Sequence, residues 1–241
     1  MGQQQEQQQL RQLGRRTSTT TKATTFINFI KLISDKRIFL LQVFSHLIAQ
    51  LGITYSVSKS DSKVVSQLNA AFHKNAWTLF AFQIGIILIL AFVRMPPIIK
   101  FVLFSAFSIS FGIQLSVFNK TKYEDLVNFS IVGTICIFIT MALAGTLLSF
   151  FGINVGYAFG SGLLYLLLIL IIVQLVAMYT KSYDLHIRAI SGAGLFLFSL
   201  FIIYDTNHIL QRNYDGDFIT ASMDYYLDII NTFYNVMNFK N

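Results

Sequence analysis

Seven long apolar runs occupy most of this 241-residue chain, and they constrain its fold more than any other feature. A helix rises about 1.5 Å per residue, so roughly 20 apolar residues cross a bilayer core of about 30 Å. Pro96 and Pro97, the only prolines, separate the second run from the third because proline breaks a helix. The predicted spans are residues 38–57, 76–95, 98–118, 127–150, 156–178, 187–210 and 218–239. We therefore predict an all-α polytopic membrane protein with seven transmembrane helices.

Composition agrees with this fold class. The chain is 54% hydrophobic and 12% charged, whereas ordinary soluble domains carry about 25% charged residues. A formal net charge of +7 would favour nucleic-acid binding in a soluble protein, but seven of the 18 basic residues precede the first span. They are Arg11, Arg15, Arg16, Lys22, Lys31, Lys36 and Arg37. We predict that this basic N-terminus lies in the cytosol and orients the chain, and that nucleic acid is not a partner.

The chain divides into three predicted segments. Residues 1–25 are rich in Gln, Thr and Arg and are predicted to be a disordered cytosolic tail. Residues 26–37 are predicted to be either an amphipathic helix on the membrane surface, with isoleucines at every third position from Ile27 to Ile33, or a linker. Residues 38–240 form the predicted seven-span domain.

Polar residues in the last run recur on one face of a helix. Asp224, Asp228, Asn231 and Asn235 follow one another at steps of 4, 3 and 4. A membrane helix does not turn such a stripe to lipid, so the stripe faces other helices or water. We therefore predict that the C-terminal helix is central and that the other helices surround it.

Two carboxylates, Asp205 and Asp228, occupy matching positions in the last two spans. The turn signal Asp215–Asp217 (DGD) lies between them, and their mean position is 216.5. If two antiparallel helices leave that turn, each aspartate lies roughly 16 Å from it along its helix. The two carboxylates are therefore at similar depth, where they can face each other.

Three stretches resemble a known family. Phe198–Asn207 (FSLFIIYDTN) and Tyr226–Phe233 (YLDIINTF) resemble the sixth and seventh spans of the Bax inhibitor family, the transmembrane Bax-inhibitor-motif proteins, and in particular its Golgi anti-apoptotic and lifeguard members. Arg37–Thr54 is similar to the family's first span, and the resemblance covers about residues 36–240. It implies seven helices with the last one central. It also implies a pH-sensitive calcium leak in the endoplasmic reticulum or Golgi that inhibits apoptosis.

The resemblance also implies roles for single residues. Asp205 and Asp228 match the family's di-aspartyl pair, which acts as a transient calcium site and pH sensor. Arg94 is the nearest match to a basic residue that engages the pair in a bacterial relative. Asp224 departs from the family pattern, which usually has a neutral residue there. We expect calcium as the transported ion and no tightly bound cofactor. The expected partners are the bilayer, calcium ions and membrane proteins of the cell-death or calcium-handling machinery.

The chemistry of such a pair suits a gate. Two carboxylates a few ångströms apart in a low-dielectric site share a proton, hydrogen-bond each other, and repel once ionised unless a cation or Arg94 intervenes. Calcium takes about 6–8 oxygen ligands, so water, carbonyls or Asp224 must complete its shell. We predict that Asp224, Asn231 and Asn235 line the pore. Surface exposure is the other interpretation for Asp224.

The residues leave other interpretations open. In one of them the two aspartates have only structural roles: Asp205 caps a helix end near water, and Asp228 forms a fixed buried ion pair with Arg94. Neither His46 nor His208 is assigned a role, because a lone histidine is usually just hydrogen-bonded.

The same two aspartates could serve functions other than a calcium leak. Tyr204-Asp205 fits half of the intramembrane aspartyl protease pattern, but no glycine precedes Asp228 as that pattern requires, so we predict that the chain is not an enzyme. A non-conducting regulator that binds partner proteins is an alternative from another class. A proton/calcium exchanger is a third, and it requires that a proton gradient drive calcium uphill.

Overall fold

A computed structural model describes the backbone of residues 2–74, 76–119, 124–180, 183–212 and 214–240. Side chains are described from Thr24 to Lys240, except at positions 69, 72–77, 80, 91–92, 117–123, 181–185 and 213. The predicted disordered tail, residues 1–25, lies almost wholly outside the described side chains, and it stays a prediction.

Within these residues all regular structure is α-helical, as predicted, and it comprises eight helices. They are α1 Gly2–Ser58, α2 Lys63–Lys74, α3 Ala76–Phe92, α4 Pro97–Asn119, α5 Glu124–Phe150, α6 Tyr157–Tyr179, α7 Tyr183–Gln211 and α8 Phe218–Lys240. In the part of the chain that is described, α1, α4, α5, α6 and α7 are the five helices long and apolar enough to cross a bilayer. The chain is therefore an integral membrane protein.

The sixth and seventh candidates for membrane crossings, α3 and α8, do not meet the same requirement. The described apolar part of α3, Ala81–Leu90, is short. Helix α8 has 23 residues but carries the polar stripe that includes Asp224 and Asp228. The count of seven crossings therefore stays a prediction.

Side-chain contacts show that the Lys36 region of α1 and the start of α4 lie at the same end of the bundle. Lys36 in α1 donates to backbone carbonyls at the C-terminus of α7, and Lys100 near the start of α4 pairs with Asp217 before α8. At the opposite end, Lys59 after α1 pairs with Glu124 at the start of α5. We call the end that contains Lys36, Lys100 and the α7–α8 turn the turn end.

Helix α8 is enclosed by other helices. It packs against α1, α4, α5 and α7. Its buried side chains include Tyr225, Tyr226, Asp228 and Phe233, which point in different directions around the helix. Because the polar stripe lies inside the bundle, it does not contact lipid, and this agrees with the predicted central position of the last helix.

The turn between α7 and α8 has the predicted local structure. Asp215 and Gly216 have φ values of 52° and 79°, a conformation that glycine adopts without strain. Asp217 then caps α8, because its Oδ1 accepts a hydrogen bond from the backbone N–H of Thr220 at 3.1 Å. The turn signal DGD is therefore confirmed.

Two features differ from the sequence-based expectations. Helix α1 runs without a break through residues 26–37, where Phe29 packs edge-on against Phe150 at 5.3 Å while Ile27 and Ile30 are exposed. Helix α2 was not predicted, because its 12 residues are too few and too polar to register as an apolar run.

Candidate functional site

Asp205 and Asp228 meet between α7 and α8. Asp205 is 7% and Asp228 is 4% exposed, and their two carboxyl groups are close enough to interact directly. Ionised carboxylates only accept hydrogen bonds, so a hydrogen bond between the two groups requires a proton. Asp228 Oδ2 is buried and has no hydrogen-bond partner among the described residues. The structure thus brings together the two side chains that the sequence placed at equal depth.

Close helix packing sets the direction in which Asp205 points. A Cβ at Gly145 of α5 would lie 2.6 Å from the carbonyl oxygen of Ile203 and 2.7 Å from Thr206 Cβ, so only glycine allows α5 to approach α7 this closely. On the other side, the Tyr225 hydroxyl of α8 donates to Thr206 Oγ1 at 2.9 Å. These contacts on both sides of residue 206 hold the adjacent Asp205 against α8.

Asn207, two residues beyond Asp205, hydrogen-bonds α7 to the end of α5 and to the connection between α5 and α6. Its fully buried amide donates to Ser149 Oγ at 3.0 Å and to the Ile153 carbonyl at 2.8 Å, and it accepts a bond from the Val155 N–H at 2.8 Å. A bulky amide with three partners resists rotation of this part of α7. The asparagine is visible in the sequence, but its hydrogen-bond partners could not be predicted from the sequence.

Asp224 is a third carboxyl beside the pair. It acts electrostatically on both Asp205 and Asp228. It is not the surface residue that one interpretation made it, because the Tyr214 hydroxyl covers it and donates to its Oδ2 at 3.0 Å. Burial, followed by the nearby carboxylates, raises the pKa of the Tyr214 phenol above its ordinary value, so this tyrosine stays a neutral donor.

The other predicted pore residues use their amides within α8. Asn231 Nδ2 donates to the Leu227 carbonyl at 2.7 Å, and Asn235 Nδ2 donates to the Asn231 carbonyl at 2.8 Å. Asn235 is 7% exposed and packs where a Cβ at Gly194 of α7 would overlap it. Their role as pore-lining residues stays a prediction.

Arg94 is not brought to the pair. It is exposed just after α3, and it is not among the charged groups that act on Asp205 or Asp228. The structural alternative of a fixed Asp228–Arg94 ion pair is therefore wrong for this conformation. A gating role for Arg94 stays a prediction, and it requires a movement that brings the two together.

Calcium would have to recruit ligands beyond the pair. Among the described residues, no group of three or more His, Cys, Asp and Glu side chains is arranged to hold a metal ion. Asp224 is therefore near enough to act on the pair through its charge, but it is not placed as a third ligand.

Comparison with known proteins identifies the family. The model of the family described as "Inhibitor of apoptosis-promoting Bax1" matches residues 36–240. The chain belongs to the Bax inhibitor family. Protein LIFEGUARD 1 of Arabidopsis thaliana is 26% identical over 209 residues, which are 83% of this chain and 86% of that protein.

Two further relatives of this Bax inhibitor family member differ in coverage. An uncharacterised protein of Campylobacter jejuni is 28% identical over 165 residues, 67% of this chain and 70% of that protein. A vaccinia virus protein named Golgi anti-apoptotic protein is 33% identical over 78 residues, 32% of each chain.

Sequence reasoning missed a second polar region of this Bax inhibitor family protein. His46, Gln50, Thr54 and Ser58 lie four residues apart on one face of α1, and all four are buried. We call these four residues the α1 seam. The signal was present in the sequence, because polar residues at every fourth position of an apolar run mark a helix face that packs on other helices.

The α1 seam is hydrogen-bonded to α4. Gln50 Nε2 donates to Ser105 Oγ at 3.1 Å, and Gln50 Oε1 accepts a bond from Ser108 Oγ at 2.8 Å. Thr54 Oγ1 lies 3.1 Å from the Ser108 carbonyl. Both ends of the Gln50 amide are thereby satisfied without water.

The same seam is hydrogen-bonded to α8. His46 Nδ1 lies 2.7 Å from Ser222 Oγ, and Thr54 Oγ1 lies 2.6 Å from the Tyr226 hydroxyl. One face of α8 is therefore joined to α1 by hydroxyl and imidazole groups, while the face toward α7 is joined by carboxyl groups.

Proposed function

We propose that this protein is a pH-sensitive calcium leak channel of internal membranes that regulates their calcium content and inhibits apoptosis. The observation that supports it is the adjacent pair Asp205–Asp228, buried between the last two helices of a Bax inhibitor family chain. Buried ionisable groups inside membrane proteins are commonly functional, because burying them is costly.

The gate in this proposal is the proton that the pair shares. With the proton present, the carboxyl groups bond α7 to α8. Without it, two like charges about 4 Å apart repel by about 4 kcal/mol at an effective dielectric constant of about 20. That exceeds the net contribution of about 1 kcal/mol from a typical hydrogen bond, so loss of the proton favours separation of the two helices.

Calcium enters this proposal as the transported ion. Separation of the helices exposes carboxylate oxygens of Asp205 and Asp228, which are ligands that calcium prefers. Two carboxylates supply fewer oxygens than the 6–8 or so that calcium takes, and water or backbone carbonyls complete the shell. A site of this kind binds calcium weakly, which suits passage rather than storage.

The proposed location is the endoplasmic reticulum or Golgi, with the N-terminus in the cytosol. The basic residues before residue 38 support this orientation. The name of the vaccinia relative, Golgi anti-apoptotic protein, supports both an internal membrane and the link to cell death. Membrane proteins of the cell-death or calcium-handling machinery are the proposed partners.

The test is calcium flux through the purified full-length protein in liposomes, scanned from about pH 5 to 8, the range in which the proposed shared proton would be lost. Wild type is compared with Asp205→Asn and Asp228→Asn, and Asp125→Asn removes an exposed carboxylate at the start of α5 as the control. We expect a pH-dependent leak that either pair variant flattens and the control preserves. An unchanged pH response in both pair variants would reject the gate.

The alternative function is a non-conducting regulator of cell death that binds partner proteins. The vaccinia relative favours it, because that protein is named for an effect on apoptosis. Absence of flux at every pH from folded protein, together with protection of cells that survives the Asp205→Asn change, would establish this alternative. Uphill calcium movement driven by a proton gradient would instead identify an exchanger.

A further inference from the structure

A basic cluster at the turn end lacks an acidic partner. Arg212 follows α7 and is half-buried, and it forms no ion pair with any carboxylate in the part of the chain that is described. Its Nη2 reaches the Val155 carbonyl at 3.4 Å, but its Nη1 is buried with no hydrogen-bond partner. An enclosed guanidinium without a counter-charge is unfavourable unless an anion joins it.

His208, one helical turn before Arg212, provides a second unsatisfied atom. The Tyr214 hydroxyl donates its proton to Asp224, so His208 Nδ1 donates to the Tyr214 oxygen at 2.9 Å. Its Nε2 is buried without a partner among the described residues, and it donates to an anion when the ring is protonated on both nitrogens. Arg212 and Lys36 both act electrostatically on His208, so three basic groups are close together. Lys36 already donates to the carbonyls of Ile209 and Arg212.

Aromatic rings form the walls around these two atoms. The Arg212 guanidinium lies 3.5 Å from the centre of the Tyr157 ring, in cation–π contact. The His208 ring stacks on Tyr204 at 5.5 Å and meets Tyr157 edge-on at 5.8 Å and Tyr214 edge-on at 4.9 Å. The rings hold both polar side chains in place, so a ligand would meet side chains whose orientation is already fixed by packing.

The cluster lies at the predicted edge of the membrane. The apolar span of α6 begins at Tyr157, and the apolar span of α7 ends at Gln211, one residue before Arg212. Tyr157 is 70% exposed, as is common for tyrosine at the level of lipid headgroups. Helix α6 also begins here without a side-chain cap, and its first N–H groups favour a negative charge.

We propose that Arg212 and His208, with the ring of Tyr157, bind the phosphate of an anionic phospholipid headgroup. Arginine suits phosphate because its planar donors match two phosphate oxygens, and basic pockets between membrane helices bind anionic headgroups. The bilayer supplies such phosphates at the depth of Tyr157 and Arg212. The site is separate from the proposed calcium leak, and it stands whether or not the protein conducts calcium.

The test is native mass spectrometry of the full-length protein in detergent, titrated with phosphatidic acid and, separately, with phosphatidylcholine. Arg212→Gln removes the charge and leaves a shorter, uncharged polar side chain. Arg37→Gln is the matched control, because Arg37 is an exposed arginine of α1 next to Lys36. We expect Arg212→Gln to weaken phosphatidic acid binding about tenfold, or about 1.4 kcal/mol, and Arg37→Gln to leave it unchanged.

Three outcomes would overturn the proposal. The first is equal binding by wild type and Arg212→Gln. The second is equal loss in Arg37→Gln, which would indicate attraction to the general charge of this end. The third is Arg212-dependent binding of inorganic phosphate as tight as that of the lipid, which would identify free phosphate as the ligand.

A second variant keeps the test decisive if Arg212→Gln fails to fold. Tyr157→Leu alters an exposed side chain and removes the ring beneath the guanidinium. We expect it to weaken phosphatidic acid binding severalfold with unchanged helical content by circular dichroism, since an exposed cation–π contact contributes about 0.5–1 kcal/mol. Wild-type affinity in a folded Tyr157→Leu protein would contradict the site.

Discussion

The two sides of α8 are equally buried but are joined to their neighbours by different chemistry. Toward α1, Thr54 and His46 meet Tyr226 and Ser222. Toward α7, Asp228 meets Asp205. Hydroxyl groups and a neutral imidazole bond one another without any added proton, whereas two carboxyl groups do so only while they share one. If the proposed gate is correct, the contact between α7 and α8 depends on pH, whereas the hydroxyl contact between α1 and α8 does not.

The largest expected effect comes from removing the need for the proton. In Asp205→Asn/Asp228→Asn, two amides can bond at any pH, so the stability of this contact no longer depends on pH. We expect wild-type thermal stability to fall between pH 5 and pH 8, by up to about 4 kcal/mol for unrelieved repulsion, and the double variant to stay level. Thermal melts followed by circular dichroism measure this. Equal pH dependence in both proteins would remove the distinction between the two sides of α8.

The next largest effect is expected from forcing α5 away from α7. A methyl group at Gly145 overlaps the Ile203 carbonyl and Thr206. Gly145→Ala should therefore destabilise the folded protein by about 1–3 kcal/mol and rotate Asp205 away from Asp228. Gly192→Ala is the control, because its added carbon meets Phe239 at an ordinary 3.5 Å. Melting temperatures and the pH profile of calcium flux are the readouts. Equal melting temperatures for the two variants would contradict the close packing.

A smaller effect, and one without pH dependence, is expected on the α1 side. Thr54→Val keeps the shape but removes the bond to the Tyr226 hydroxyl, at an expected cost of about 1 kcal/mol. Thr140→Val is matched to it, because the Thr140 hydroxyl bonds only the Cys136 carbonyl of its own helix and is exposed. The loss for Thr54→Val should be the same at pH 5 and pH 8. A loss that varied strongly with pH would place a proton-dependent contact in the α1 seam.

The smallest effect is expected at Asp217, outside the spans. Burial favours its neutral form, but hydrogen bonds from Lys100 and Thr220 outweigh burial and lower the pKa of Asp217 below its ordinary value. A lowered folded-state pKa stabilises the protein above the ordinary aspartate pKa of about 3.9, and this contribution is lost as the pH falls through the lower value.

Asp217→Ala should therefore cost about 1 kcal/mol, the value of an N-cap, and equally so at pH 5 and pH 8. Asp217→Asn should cost less, because asparagine also caps helices and only the ion pair with Lys100 is lost. Chemical or thermal unfolding at the two pH values measures both. A cost that appeared only at pH 8 would show that Asp217 titrates in the range assigned to the Asp205–Asp228 pair.

Much of the architecture was predictable because it depends on local chemistry. The lengths of the apolar runs predicted where most helices begin and end. Helices α4 to α8 begin and end within a few residues of the predicted spans. The DGD turn placed the two aspartates at equal depth. Spacing could not reveal the rotation of α7, because that depends on Gly145, Thr206 and Tyr225, which come from three different helices.

Other parts of the site were not predictable for the same reason. The spacing of the α1 seam was visible, but its partners Ser105, Ser108 and Ser222 lie 55 to 176 positions away in the chain. The sequence leaves Asp224 as either a pore or a surface residue. It does not show that Tyr214 folds over this carboxylate and excludes the surface interpretation.

The sequence by itself determined the class of the molecule: apolar runs, a basic N-terminus and a polar stripe on the last helix are properties of consecutive residues. Only the tertiary structure decided which polar groups meet. It brought Asp205 to Asp228, left Arg94 exposed away from them, and placed Arg212 without a carboxylate. The physical reason is that burial in a bilayer requires every polar group to find a partner, and the partner is chosen by helix rotation and close packing, which no local pattern encodes.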